Sequence, residues 1–330
     1  MISRRQVVLA LGAGAFMSPL TSFAQQVGKI WRIGFLAQRH VDFVEADYIY
    51  GPFTQGMREL GYVAGKNLVI EWRSAEGKSE RLPKLAVELV QLKLDVLATQ
   101  GTPAALAAQK ATTTIPIVMI SVGDPISTGL VKSLARPGGN STGLSNMVAE
   151  LGPKMLETLR GVTPKVTHVA VLVNPSNTAV AIFLQNVQAA AQHTGVTIQP
   201  VEARTPQEIA DGFAAMARQN AGALIVPLEQ LFVQQTAQIV ELAAKQRLPS
   251  IGAVAEYVEA GGLMSYGASP REINRRAATY VDKILKGVQP GDLPVEQPNT
   301  FELAINLKAA KALNINVPQS ILTRATKVIE

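Results

Sequence analysis

The chain is 330 residues long, 47 % of them apolar, and carries a formal charge of +6 with no cysteine. That length and apolar fraction suit two domains with buried cores, and the lack of cysteine excludes disulfides, thiolate catalysis, cysteine-bearing zinc sites and a lipidated-cysteine anchor. The basic residues are scattered rather than clustered, so the excess charge offers no footprint for nucleic acid.

Residues Met1 to Ala24 read as an export signal cleaved near Ala24. A basic head at Arg4 and Arg5 precedes an apolar run from Val7 through Phe16 and a polar stretch ending Ser22-Phe23-Ala24. Ser3-Arg4-Arg5-Gln6-Val7-Val8-Leu9 also fits the twin-arginine pattern, which leaves two export routes open. The apolar run is shorter than the roughly 20 residues a bilayer span needs, and no later stretch is long enough. Cleavage lowers the formal charge to +4, and the mature chain is expected to be an untethered periplasmic monomer that does not insert into membrane.

Short β-branched runs then alternate with amphipathic segments. Trp31 to Leu36, Leu68 to Trp72, Asp95 to Thr99 and Ile115 to Ile120 are apolar enough to be strands buried on both faces. From Pro83 to Leu92, Leu85, Leu89 and Leu92 recur at helical spacing and predict a helix that covers a sheet face. The rhythm restarts with strands at Val166 to Val173, Val196 to Val201, Ala223 to Val226, Pro249 to Gly252 and Leu263 to Tyr266. Thr205-Pro206-Gln207-Glu208 and Ser269-Pro270-Arg271-Glu272 both read as capping boxes with proline at the first helical position. After the second, Ile273, Ala277, Tyr280 and Ile284 form a core-facing stripe that stops at Gly287.

Two βα arrays, split near Ala149 to Lys165, predict an α/β fold of two doubly wound parallel-sheet lobes joined by a hinge. Residues 25–146 plus about 268–288 are expected to form the first lobe, and 147–267 plus about 289–330 the second. In open α/β sheets a ligand sits beyond the carboxyl ends of the strands, which directs attention to the loops there. Gln38 and Arg39 follow the first strand. Gln100, Gly101 and Thr102 follow the third; free amides at that helix start suit an anion, unless Thr102 only caps its own helix. Ser121, Gly123 and Asp124 follow the fourth, where Asp124 either accepts a ligand ammonium or makes an Asx turn before Pro125. The second array supplies Asn174 and Ser176, then Pro227 and Glu229, then Gly252 and Tyr266; Asn177 reads as a helix cap rather than a ligand contact. Such a set gives an amphipathic ligand one apolar wall and a few orienting hydrogen bonds.

Five segments are specific enough together to show a resemblance. They are Leu60-Gly61-Tyr62-Val63-Ala64-Gly65-Lys66-Asn67-Leu68, Thr99 to Ala104, Ser121 to Pro125, Leu134-Ala135-Arg136-Pro137-Gly138-Gly139-Asn140 and Ala260-Gly261-Gly262-Leu263-Met264-Ser265-Tyr266-Gly267. From about Ile30 to the C-terminus the chain resembles an ABC-transporter substrate-binding family whose better-understood members bind tryptophan or tyrosine. The resemblance implies the type I periplasmic-binding-protein fold, three hinge crossings, no chemistry and no cofactor. Its implied partners are a small-molecule ligand, an ABC permease and an ATPase.

Enzymatic readings find little support in the residues. There is no Gly-x-Ser-x-Gly elbow, and His40, His168 and His193 lack metal-ligand spacing. Gly61 to Lys66 is one residue short of a phosphate loop and precedes a strand. A hydrolase built on Asp124 and Glu229 across the cleft remains an alternative, as does a ligand sensor for a signalling receptor. The expected anion-accepting helix start and Asp124 together suit a zwitterion, hence an amino acid or related small organic solute, captured by hinge closure.

Overall fold

The structure is a computed structural model that describes residues 29–39, 50–192 and 194–330. The export signal, His40 and His193 lie outside the described residues, among which no helix is long and apolar enough to cross a membrane.

The first array folds as β1 (Trp31–Ala37), α1 (Gly51–Glu59), β2 (Leu68–Ser74), α2 (Leu82–Val90), β3 (Val96–Gln100), α3 (Thr102–Ala111), β4 (Ile117–Val122) and β5 (Ser141–Ser145). Its sheet has the order β2-β1-β3-β4-β5, parallel throughout. Each predicted strand here forms within two residues of its expected bounds, because a run such as Val96, Leu97 and Ala98 is buried on both sides of the sheet. Leu85 and Leu89 turn α2 onto one face, whereas Leu92 lies beyond the helix. Both tryptophans belong to this sheet: Trp31 lies under the Lys29 ammonium, and Trp72 stacks on Phe35 at 4.3 Å. β5 is the strand not anticipated from the sequence, since Ser141-Thr142-Gly143-Leu144-Ser145 lacks an apolar run. Gly143 makes it possible. At φ +142°, a β-carbon there would overlap the Met119 carbonyl oxygen of the neighbouring strand.

The second array folds as α4 (Val148–Val162), β6 (His168–Val173), α5 (Thr178–Ala191), β7 (Thr197–Glu202), α6 (Pro206–Arg218), β8 (Ala223–Ile225), α7 (Gln230–Gln234), α8 (Thr236–Lys245), β9 (Ser250–Gly252), α9 (Ala255–Glu259) and β10 (Met264–Gly267). There follow α10 (Pro270–Leu285), β11 (Glu302–Asn306), α11 (Leu307–Ala312), α12 (Gln319–Leu322) and β12 (Lys327–Ile329). The second sheet has the order β12-β11-β10-β9-β8-β6-β7. β10, β9, β8, β6 and β7 are parallel; β11 enters antiparallel to β10 with Met264 opposite Ile305, and β12 runs parallel to β11. The two C-terminal strands carry too few apolar residues to announce themselves in the sequence.

Of the two expected capping boxes, one forms and one does not. The Thr205 hydroxyl accepts from the Glu208 amide at 3.1 Å, and the Glu208 carboxylate accepts from the amide of Arg204. Ser269 makes no side-chain cap on α10, and its side chain instead lines a surface cavity with Glu272 and Thr300. The apolar stripe of α10 is as expected: Ile273, Ala277, Tyr280 and Ile284 are all buried, and they pack on the first sheet with Phe35, Val96 and Ile120. Leu293 and Val295 also pack in the cores flanking the first sheet, while Leu303 and Ile305 belong to the core of the second.

Replacing Gly143 by alanine should cost about 3 kcal/mol or more, because backbone strain adds to a clash that the sheet cannot relieve. Urea unfolding of Gly143→Ala beside the parent checks this, and an unchanged midpoint would refute it.

Candidate functional site

The carboxyl ends of both sheets meet at one enclosed cavity. Gln38 follows β1, Gly101 and Thr102 join β3 to α3, and Ser121 and Gly123 stand at the end of β4. Facing them from the second array are Val148 on α4, Asn177 and Ala179 at the start of α5, and Leu228, Glu229 and Gln230 leading into α7. Asn146 lines the cavity where the chain passes from β5 to α4. The space open to the centre of a water-sized sphere is only about 10 Å³, close to what one water requires.

Interlocked loops hold the first-sheet wall. The Thr102 hydroxyl accepts from the Gly123 amide at 3.0 Å, so Thr102 ties the β3 and β4 loops together rather than capping its own helix. Gly101 precedes α3 at φ +81°, and a β-carbon there would lie 3.8 Å from both Gln38 Oε1 and Gln230 Cγ. Asn146 donates to the Ser121 carbonyl at 2.8 Å, and its Oδ1 accepts from the Val148 amide at 2.9 Å. Those bonds brace two non-glycine residues in left-handed conformations, Ser121 at φ 57° and Met147 at φ 54°, each costing about 1–3 kcal/mol to hold.

Among the described residues lining the cavity, Glu229 is the one titratable group. It is 1 % exposed. Its Oε2 caps α7 by accepting from the amides of Leu231 at 2.7 Å and Phe232 at 3.3 Å. Oε1 accepts from Asn174 at 3.1 Å and, across the cavity, from Gln38 Nε2 at 3.5 Å. Burial pushes its pKa up to about 7, against the lowering pull of the Leu231, Phe232 and Gln230 amides and of the Asn174 side chain. Two further acceptors stand beside it with no partner: Gln38 Oε1, whose amide nitrogen is spent on Ser79 and Glu229, and Gln230 Oε1.

The expected residues thus divide into two groups. Gln38, Gly101, Thr102, Ser121, Gly123 and Glu229 line the cavity together. Asn174 stands one step behind, donating to Glu229, and Ser176 is exposed with its amide bonded to Asn174. Gln100 and Pro227 are buried outside the lining. The Asp124 Oδ1 accepts from the Ser127 amide three residues on at 3.0 Å, a local bond within its own loop, and Asp124 is not among the residues lining the cavity. Gly252 is packed against the Tyr257 ring, and Tyr266 stacks on Phe301 at 6.0 Å. Of the carboxylate pair considered for a hydrolase, only Glu229 reaches the cavity.

Asn146, Val148, Ala179 and Gln230 were not foreseen. Asn146 follows an unrecognised strand, and Gln230 directly follows a residue that was. Asn177 does cap α5, its Oδ1 accepting from the Ala179 amide at 3.1 Å, and lines the cavity as well. Among the described residues no cluster of His, Cys, Asp and Glu is placed to hold a metal ion.

Residues 41–329 match a family described as ABC transporter substrate binding protein. A tyrosine-binding protein of Clostridioides difficile strain R20291 is 28 % identical over 263 residues, which is 80 % of this chain and 75 % of that protein. A Streptococcus pneumonia ABC domain solved in complex with L-Trp is 28 % identical and superposes with a TM-score of 0.83, covering 91 % of this chain and 100 % of that one. A substrate binding protein with adhesive properties from Clostridium difficile, solved ligand-free and open, is 26 % identical. It covers 91 % of this chain and 99 % of its own, with a TM-score of 0.64.

A carboxyl raised from 4.5 to about 7 binds its proton more tightly folded than unfolded. Its contribution to stability is therefore fully present below pH 4.5 and declines as pH rises toward 7, by an amount of the order of 3 kcal/mol. Denaturation of the parent and Glu229→Gln across that window should show a steeper decline in the parent; parallel curves would count against the buried-carboxyl account.

Proposed function

The chain belongs to the ABC transporter substrate binding protein family, and from that premise we propose that it is the solute-capturing component of an importer. The family binds ligands and does not catalyse. In this reading the mature protein is exported to the periplasm behind the signal at 1–24. There, as a monomer, it takes up an amino acid or related small organic solute between two lobes and presents it to a permease and its ATPase.

The observation that carries the reading is a cavity walled from both sheets at the carboxyl ends of their strands. Its size supports opening and closing: a space of about 10 Å³ admits no amino acid until the walls part. The comparisons support the same motion. At nearly equal identity, this chain superposes better on the relative holding L-Trp than on the ligand-free, open one, 0.83 against 0.64. We assign the hinge crossings to the neighbourhoods of Asn146, of Gly267 and Ala268, and of the segment 297–301. The last lies later than the sequence expectation of about 289, since Leu293 and Val295 pack with the first sheet. Ligand drives closure only by its greater affinity for the closed form, which requires it to touch both lobes.

Two outcomes follow. Small-angle scattering of the mature protein should show compaction when a thermal-shift hit from a panel of amino acids and polyols is added, and superimposable curves would argue against a clamp. Gly123 meets Val148 and Ala179 across the cavity so closely that an added β-carbon would lie 2.6 and 2.7 Å from their side chains. Gly123→Ala should therefore resist closure and weaken binding at least tenfold with the fold intact, as titration calorimetry and circular dichroism would report.

A further inference from the structure

A second cavity lies at the opposite edge of the second sheet from the cleft, where β9 and β10 begin, and solute capture leaves it unused. Ala243 and Ala244 on α8 form one wall, Ala309 and Ala312 on α11 another, and the buried side chains of Leu248 and Leu263 make the floor. The space open to the centre of a water-sized sphere is about 350 Å³, against about 10 Å³ in the cleft. Pockets that hold small molecules run from about 300 to 1,000 Å³. Protein interiors otherwise leave few voids larger than a water, and it is the run of short side chains on two neighbouring helices that keeps this one open. At the mouth, Gly262 lets the backbone pass so close to the Tyr257 ring that an added β-carbon would lie 2.3 Å from Cε1.

The lining is chemically one-sided. Its floor is hydrocarbon except for Ser250, whose hydroxyl already accepts from the Tyr257 hydroxyl at 2.7 Å and so calls for no polar guest. Arg247 is the one charged group among the described residues that line the cavity, and no carboxylate stands with it there. Its Nη2 donates to the Ala312 carbonyl at 3.2 Å, which holds the guanidinium between the end of α8 and the end of α11. Among the described residues Arg247 forms no ion pair, whereas Lys245, two residues earlier, is paired with Glu241. A guanidinium offers five N–H donors in a planar fork and no acceptor, so most of the donors of Arg247 stay open beside an apolar hollow.

We infer that this cavity is a second solute site, which takes a small monocarboxylate with an apolar body. The hydrocarbon lies against the alanine walls and the leucine floor, and the carboxylate pairs with Arg247 at the rim, the geometry that guanidinium forks match best. An amine of the same shape would set a cation beside a cation. A polyol would bury hydroxyls against hydrocarbon without partners. The site is built from the second array alone, so its occupancy does not depend on closure of the cleft. An arginine that serves only to satisfy a carbonyl at the end of α11 would bind no carboxylate here.

The test is titration calorimetry on the mature protein with phenylacetate and hexanoate, each beside its amide, and with hexylamine as the cationic counterpart. Binding of the carboxylates, at least tenfold tighter than of the amides or the amine, is the expected result. Arg247→Gln should weaken phenylacetate binding at least tenfold. Ala244→Leu, which fills the cavity from an exposed helical position that leucine suits, should do the same. If Arg247→Gln does not fold, Ala244→Leu and the amide comparison carry the test. Gly123→Ala, which obstructs the cleft, should bind phenylacetate as the parent does. An amide that binds as tightly as its acid overturns the inference, as does failure of both carboxylates to bind. Phenylacetate binding that survives Arg247→Gln and Ala244→Leu, or that is lost in Gly123→Ala, overturns it too. The capture reading is judged separately, by whether a solute compacts the protein, which neither carboxylate should do from this site.

Discussion

A carboxyl group with almost no contact with water is the constraint around which the cavity is organised. Removing a carboxylate from solvent is so unfavourable that a fold retains one only when donors surround it or when it keeps its proton. Glu229 has both remedies in partial measure: backbone amides of α7, the Asn174 amide, a distant approach from Gln38, and a pKa drawn up to about 7. Those donors come from three separate elements on two sheets. The need to satisfy one side chain thus fixes where α7 stands relative to β6, and draws the end of β1 toward them when the cavity is closed.

The wall opposite is held by a different economy of bonds. Thr102 spends its hydroxyl on the Gly123 amide, and Asn146 spends both ends of its side chain on Ser121 and Val148. Loops that bond to one another need no ligand to keep their shape. Strain at Ser121 and Met147 is tolerated because these neighbours over-determine it. A preformed wall of this kind lowers the ordering cost of capture, and leaves the movement between the sheets as the main change required of the protein.

Most of the architecture was legible in the sequence, and the failures have physical causes. Apolar stretches such as Ile117–Ile120 mark many of the buried strands, and nine of the twelve strands among the described residues could be read. β5 escaped because Ser141–Ser145 lacks an apolar run, and β11 and β12 because their apolar stretches are only three and two residues long. At the cavity, the rule that ligands lie beyond strand carboxyl ends located Gln38, Gly101, Thr102, Ser121, Gly123 and Glu229. It gave no means of telling which neighbour in a loop faces inward. Asp124 and Gly123 are adjacent, yet one bonds to the Ser127 amide of its own loop and the other touches the far wall. Asn146 was hidden because the strand preceding it was hidden. Tyr266 was a plausible aromatic wall in sequence, and in the structure its ring stacks on Phe301.

The placement of the two indoles has an optical consequence. Trp31 and Trp72 are the only tryptophans in the chain, and both sit on the first sheet, one beneath a lysine and the other stacked on Phe35. Intrinsic emission excited at the red edge of protein absorbance therefore originates wholly from one half of the molecule. The half that contributes Glu229 and Asn177 is dark at those wavelengths. An indole introduced there would give the silent half a signal of its own.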